Sequence, residues 1–277
     1  MKLRLALPFF LVLLEVNVLN EKNLLRVEEI PNKGKEMTYI LGARCTDGIV
    51  LVGDRKVSRG GASVEYEDKV FSDVGNVVIG ASGAVGLFDK FRRQMREVAV
   101  LNPSIKPADF IKEAEKIVYD LNSAYYERAR GSIDLLVAYG RTRRGQLQYV
   151  TRLGLAEEVR RYQVIGSGTP YGAYLLRNMW KETLTMKQAA VLGVLIVKHI
   201  EDNELDEAVG VGKTNPQIWF VPDWPIDLTD DRYEKLTKEE KAALDTRETS
   251  KAELDEIQEK VAEHYPKIGI NLREISL

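Results

Sequence analysis

The order of elements along this 277-residue chain predicts an α+β fold, a four-layer αββα sandwich followed by a charged helical extension. Two observations carry the sandwich. Strand-like runs come in groups, and amphipathic helical periods come in pairs between those groups. A doubly wound parallel sheet would need strict alternation of strand and helix instead. A third observation, a shift toward charged, helix-forming composition from Trp224 onward, marks the extension.

Taken in order, the runs Thr38 to Cys45 and Ile49 to Asp54 are joined by Thr46-Asp47-Gly48, a hairpin signal. A further strand, "NVVIGAS" at residues 76–82, runs directly into a helix on which Val85, Phe88, Phe91, Met95 and Val98 recur at helical spacing. The second helix spans about residues 107–130, with Phe110, Ile111, Ala114, Ile117, Val118, Leu121 and Tyr125 as its apolar face. "SIDLLVAYG" and "GQLQYVTRL" follow as strands, the first so continuously apolar that both its faces should be buried. "RRYQVIGSG" is another strand, ending on glycines. Helices near 170–182 and 186–201 come next, the second opened by a capping box of Thr185 and Gln188. "PQIWFVPD" is expected to close the sheet.

Beyond Trp224, capping boxes at Thr237/Glu240 and Ser250/Glu253 open two helices. Leu254, Ile257, Val261 and Tyr265 form a thin apolar stripe on the second. The expectation is a helical hairpin docked on the main domain or on a neighbouring subunit; the alternative is a solvated tail. The chain therefore divides into residues 1–37, 38–223 and 224–277.

Composition narrows the chemistry. The chain is 44% hydrophobic and 30% charged with a net charge of −2, so no basic excess points to nucleic acid. The one cysteine, Cys45, excludes an internal disulfide framework and a zinc cluster. Two histidines, His199 and His264, argue against a histidine triad or a histidine-rich metal site. No cofactor or metal is expected, and catalysis would have to use hydroxyls, amines and carboxylates. A threonine hydroxyl is a poor nucleophile until a base takes its proton. A free α-amino group, with a pKa of roughly 7.7–8.0, can be that base within the same residue. A lysine oriented by a carboxylate assists, and backbone N–H groups at a glycine turn hold the oxyanion.

Four segments bear on that chemistry: "TYILGARCTDGIVLVGDRKV", "YEDKVF", "VVIGASGAVG" and "VIGSGTPYGAYLL". In this order and spacing, from Thr38 to about Asp223, they resemble the proteasome β-subunit family of N-terminal-nucleophile hydrolases. The resemblance implies that Thr38 is the nucleophile and Asp54 the buried acid at the end of the second strand. It implies that Lys69 is the catalytic lysine, reached by a loop one residue shorter than expected, and that Gly83 is the oxyanion-hole glycine. Ser167 and Asp206 would hold the threonine amine, with Asp202 and Glu204 close by as competitors for the latter role. Val209 departs from the pattern, which has a serine near that amine. Val57, Glu67, Phe71, Ala81, Val85 and Asp89 fall on positions lining the family's first specificity pocket. The acids Glu67 and Asp89 would favour a basic residue before the scissile bond, unless they are solvated at a rim.

Three functions follow from the resemblance. The first is a threonine-type endopeptidase in a self-compartmentalising, cytoplasmic, homo-oligomeric ring. It would act on polypeptides, with an α-type ring or an ATP-dependent unfoldase as partner and neither nucleic acid nor membrane involved. The second is a noncatalytic α-type ring subunit, although the "QVEYA"-like stretch of such subunits is absent. The third is an amide-transfer enzyme, a ligase or amidase, on the same fold. The N-terminus bears on all three. "MKLRLALPFFLVLLE" resembles a short signal peptide, but its apolar run is too short to span a bilayer and no small-residue cleavage site follows. Residues 1–37 are then a propeptide or a mis-called start. If translation begins at Met37, methionine removal before the small Thr38 exposes its amine. With thirty-seven residues ahead of Thr38, the chain is expected to be inactive.

Overall fold

A computed structural model describes residues 38–59, 63–74, 76–103, 105–129, 131–140, 144–207, 209–224 and 234–275. The readings made for residues 1–37 lie outside the described residues.

Two five-stranded antiparallel sheets form the centre. The first has the order β10–β1–β2–β11–β12, from β1 (Ile40–Arg44), β2 (Gly48–Gly53), β10 (Tyr162–Ile165), β11 (Gln217–Pro222) and β12 (Arg247–Glu248). The second runs β5–β6–β7–β8–β9, from β5 (Val70–Val74), β6 (Val77–Gly83), β7 (Ile133–Tyr139), β8 (Gln146–Val150) and β9 (Ala156–Glu158). A separate two-stranded ribbon is made by β3 (Lys56–Arg59) and β4 (Ser63–Tyr66). Helices α1 (Val85–Leu101) and α2 (Pro107–Ala129) cover the second sheet, and α3 (Thr169–Met179) and α4 (Met186–Asp202) cover the first. This is the four-layer sandwich that the element order predicts.

Strand periodicity builds three cores from these layers. On β1 and β2, Ile40, Ile49 and Leu51 point between the sheets, where they meet Val70, Val78, Leu136 and Leu147. Their alternates Leu41, Val50 and Val52 point outward to Leu176, Leu195 and Ile196 of the helices. The third core joins Ile79, Leu135 and Val137 to Phe91, Phe110 and Val118. The β7 strand is buried nearly throughout, as its apolar run requires. Between the sheets some positions have no room for a side chain: a Cβ on Gly80 would lie 2.8 Å from Ile40 Cγ2.

The C-terminal extension differs from a helical hairpin. Helix α5 (Lys238–Leu244) and helix α6 (Lys251–Ile275) are separated by β12, which pairs Glu248 with Trp219 and Arg247 with Phe220. Thus β11 is not the last strand of its sheet. A two-residue strand of an arginine and a glutamate has no periodicity to announce it. Helix α6 lies on α4 of its own chain, with Ile257 and Val261 buried in the outer core and Leu254 and Tyr265 packed beside them. Burying two such side chains stabilises the docked helix by roughly 1.5–3 kcal/mol each. All three capping boxes read from the sequence form, at Thr185/Gln188, Thr237/Glu240 and Ser250/Glu253. The strands β3, β4, β5, β9 and β12 carry no clear sequence signal, because each is short and of mixed polarity.

Candidate active site

The hairpin of β1 and β2 sets the first two site residues side by side. Ile40 pairs with Gly53, so Thr38 and Tyr39 before β1 meet Asp54 just beyond β2. The Asp54 N–H donates to the Tyr39 carbonyl at 3.0 Å, and the Tyr39 N–H donates to Asp54 Oδ1 at 2.8 Å. Lys69 arrives from the other sheet, one residue ahead of β5. Its Nζ donates to Asp54 Oδ1 at 2.8 Å, to Asp54 Oδ2 at 2.9 Å and to the Lys56 carbonyl at 2.5 Å. Asp54 Oδ2 also accepts the N–H groups of Lys56 and Gly210, at 3.2 and 3.3 Å.

Asp54 is wholly buried and Lys69 nearly so. Two unshielded charges there would be costly, and the donors just described, with the Lys56 carbonyl, offset that cost. Burial pulls the Lys69 ammonium below its ordinary range, while the neighbouring Asp54, Asp206 and Glu67 carboxylates push it back up. Burial likewise pushes the Asp54 carboxyl up, against the pull of Lys69 and its backbone donors. A lysine so depressed gives and takes a proton more readily than a surface one.

On the other side of Thr38 stand Ser167 and Asp206. The Thr38 N–H donates to Ser167 Oγ at 3.3 Å, and Ser167 Oγ–H donates to Asp206 Oδ2 at 2.6 Å. Asp202 is engaged instead with Lys198 one helical turn away, so Asp206 is the acid that reaches Ser167. The turn after β10 permits this approach because Gly166 takes a φ of +98°, and any Cβ there would come within 2.0 Å of the Thr38 carbonyl oxygen. Gly83, the last residue of β6, has a φ of +118° and faces Ser132 O so closely that a Cβ would sit 1.8 Å from it. Its neighbour Ser82 has Oγ 3.1 Å from where a Gly166 Cβ would be, so the end of β6 abuts the turn that holds Thr38. Val209 is fully buried, with Cγ2 3.1 Å from a Cβ position on Gly168, and its N–H donates to the Asp206 carbonyl at 3.1 Å.

Thr38, Asp54, Lys69, Ser167 and Asp206 are thus joined by hydrogen bonds directly or through Tyr39, and Gly83 stands at their edge. The specificity positions are more dispersed. Val57 is buried on β3, Glu67 and Val85 are half-buried, and Asp89 is exposed on α1. Phe71 and Ala81 are built into the core beneath α1. The Phe71 ring meets Phe88 edge-on with centroids 5.3 Å apart, and the Arg92 guanidinium lies 4.6 Å above it. Arg92 forks onto Asp73 and also feels the charge of Asp89.

Two contributors were missed in the sequence. Gln217, the first residue of β11, is buried and hydrogen-bonded to the backbone of Lys69 and Val70. Glu201, in the last turn of α4, accepts the N–H groups of Val211 and Gly212 and so braces the loop that presents Gly210 to Asp54. A polar residue opening an otherwise apolar strand was the one available hint for Gln217. Among the described residues no group of three His, Cys, Asp or Glu could hold a metal ion. Nor is any described helix long and apolar enough to cross a membrane.

Residues 35–211 match the family model described as proteasome subunit. The chain is similar to a proteasome subunit alpha of Methanococcus maripaludis, at 24% identity over 235 residues, covering 80% of this chain and 89% of the relative. The corresponding protein of strain C5 is 25% identical over 180 residues, covering 63% and 68%. Among solved structures, Anbu (ancestral beta-subunit) from Yersinia bercovieri superposes with a TM-score of 0.60 at 12% identity, covering 84% of this chain and 97% of that one. An Anbu (Gly-1) mutant from Hyphomicrobium sp. strain MC1 gives 0.59 at 14%, covering 86% and 96%. At such identities the two structures speak for the fold alone.

Proposed function

The chain belongs to the proteasome subunit family, and from that premise we propose that it is a threonine-type endopeptidase with Thr38 as nucleophile. One observation carries the reading: a buried Lys69–Asp54 pair and a Ser167–Asp206 relay both engage the Thr38–Tyr39 main chain. A buried, mutually shifted ion pair beside a hydroxyl is the arrangement a functional site uses to hold a proton-handling group in place.

The amide nitrogen of Thr38 cannot act as a base while residue 37 is attached. Once the preceding segment is removed, the free amine stays within reach of Ser167 and accepts the proton of Thr38 Oγ1. The alkoxide attacks the substrate carbonyl, and the tetrahedral oxyanion is held by the Gly83 N–H. Collapse breaks the peptide bond, and the departing amine takes the proton from the Thr38 ammonium. Water, deprotonated by the same amine, then hydrolyses the ester and regenerates the enzyme. The Lys69 ammonium lowers the hydroxyl pKa throughout, and Asp54 keeps that ammonium in place. Val209 supplies no hydroxyl to the amine, so Ser167 and Asp206 carry that task between them.

In this reading residues 38–223 are the catalytic domain and residues 224–277 an accessory extension. The site belongs in the lumen of a homo-oligomeric ring in the cytoplasm, stacked on an α-type ring or served by an ATP-dependent unfoldase. Glu67 and Asp89 favour a basic residue before the scissile bond, although Arg92 opposes Asp89 in part. A noncatalytic ring subunit is the second reading, favoured by the curated relatives, whose names are proteasome subunit alpha. An amide-transfer enzyme would use the same first half-reaction with a different acceptor amine.

Intact mass and β-lactone labelling test the proposal. The expected result is a mature chain beginning at Thr38 that gains one adduct, lost in Thr38→Ala, and that cleaves fluorogenic peptides with Arg or Lys faster than those with Leu. A chain that keeps residues ahead of Thr38 and ignores the probe would establish the noncatalytic reading. Equal or Leu-favouring rates would remove the basic preference alone.

A further inference from the structure

We infer that Gln217 is a positioning residue for Lys69, its buried carboxamide fastening the start of β5 to the start of β11, which lies opposite the end of β2, and so setting the geometry of the ion pair. The inference rests on the peptidase reading. Gln217 is 2% exposed. Its Oε1 accepts the Lys69 N–H at 2.6 Å and the Val70 N–H at 3.0 Å, and its Nε2 donates to the Val70 carbonyl at 2.8 Å. In β11 it stands opposite Gly53, the residue immediately before Asp54. One side chain therefore registers the backbone of Lys69 against the strand that delivers Asp54.

The topology explains why such a bolt is needed. Lys69 and Asp54 come from different sheets, and face-to-face sheets share no backbone ladder. Lys69 is tied to its own sheet through its carbonyl, which accepts the Ala81 N–H at 2.9 Å. Its amide faces the other sheet, and Gln217 holds it there. Only a side chain with both an acceptor and a donor at that length satisfies two N–H groups and one carbonyl at once. Lysine carries its charge at the end of a four-carbon stem, so a shift of the backbone is passed to the ammonium. Misplacement by about 1 Å can cost about 10²-fold in rate. Asp54, Glu67 and Asp206 are the charged groups that face this ammonium, and Gln217 is the neutral one behind it.

The test is the rate of β-lactone labelling of Thr38 against pH for the mature wild type, Gln217→Met and Gln217→Glu. Methionine keeps the volume and removes all three bonds. The expected result is a loss of about tenfold or more for Gln217→Met, with the apparent pKa of the profile displaced from that of the wild type. Gln217→Glu, whose protonated carboxyl reproduces the three bonds, should label within about threefold of wild type at pH about 6 and fall behind as that carboxyl ionises. The apparent pKa is read from the shape of the profile, whatever fraction of a variant has folded. Profiles of wild-type shape in both variants, or losses equal at every pH and matched by lower melting temperatures, would overturn the inference and leave the peptidase reading standing. A wild-type chain that begins at Thr38 and is never labelled would remove both.

Discussion

Asp54–Lys69 and Arg247–Glu253 are both two-pronged ion pairs that tie separate segments together, yet they live in different solvents. The side chains of the first are 0% and 7% exposed, whereas those of Arg247 and Glu253 are 34% and 18% exposed. The inner pair is surrounded by backbone donors from Tyr39 just before β1, from β3 and from the loop before β11, and in the proposed function it serves chemistry at some risk to stability. The outer pair fastens β12 to the first turn of α6 beside an apolar contact that bears more of the load. In the proposed function, then, the same pairing of charges serves chemistry in one place and attachment in the other.

The largest effect expected from breaking this contrast is at the inner pair. Lys69→Ala leaves Asp54 buried without its cation and should cost about 3–5 kcal/mol in denaturant unfolding, with labelling of Thr38 reduced to background. The double variant Asp54→Asn, Lys69→Met should recover much of that stability and none of the labelling. Recovery of neither would mean that the pair is mainly structural. Next comes the apolar contact beside the outer pair: Ile257→Ala should lower stability by about 2–4 kcal/mol while labelling persists. Loss of labelling there would join the extension to the site.

Smallest is the outer pair itself. Arg247→Ala should cost about 1 kcal/mol or less at neutral pH, read as faster hydrogen exchange in β12 and the start of α6. Its pH dependence has a definite sign. The Arg247 fork, aided by Ser250, holds the Glu253 carboxyl down to about 2 from its usual 4.5. The stabilisation it contributes is therefore fully present above the unfolded value and lost as pH falls from about 4.5 toward 2. Exchange in α6 should rise through that window in the wild type and rise less in Arg247→Ala, where only the Ser250 bonds still favour the carboxylate. A flat wild-type profile would show that the apolar contact alone holds the helix.

Capping boxes, the β1–β2 hairpin and the helical faces were legible because each is a relation among residues within one or two turns of chain. The stripe of Leu254, Ile257, Val261 and Tyr265 was legible in the same way. Its partner was not, because a period of 3.6 tells which face is buried and not against what. The candidate residues Thr38, Asp54 and Lys69 could be named because the short motifs that carry them resemble those of proteasome β subunits. That Asp206, rather than Asp202, reaches Ser167 depends on where α4 ends, and three acids within five residues look alike until then.

By itself the sequence determined the order of the longer strands and helices, the sandwich class, the family and a set of candidate site residues, since all of these are written in local pattern and composition. Only the tertiary structure decided that β12 extends the first sheet, that α6 docks on its own α4, and that Gln217 grips the backbone of Lys69 from 148 residues away. The physical reason is common to all three. A hydrogen bond or a buried contact between distant segments depends on how two sheets are stacked, and stacking belongs to the whole chain rather than to any stretch of it.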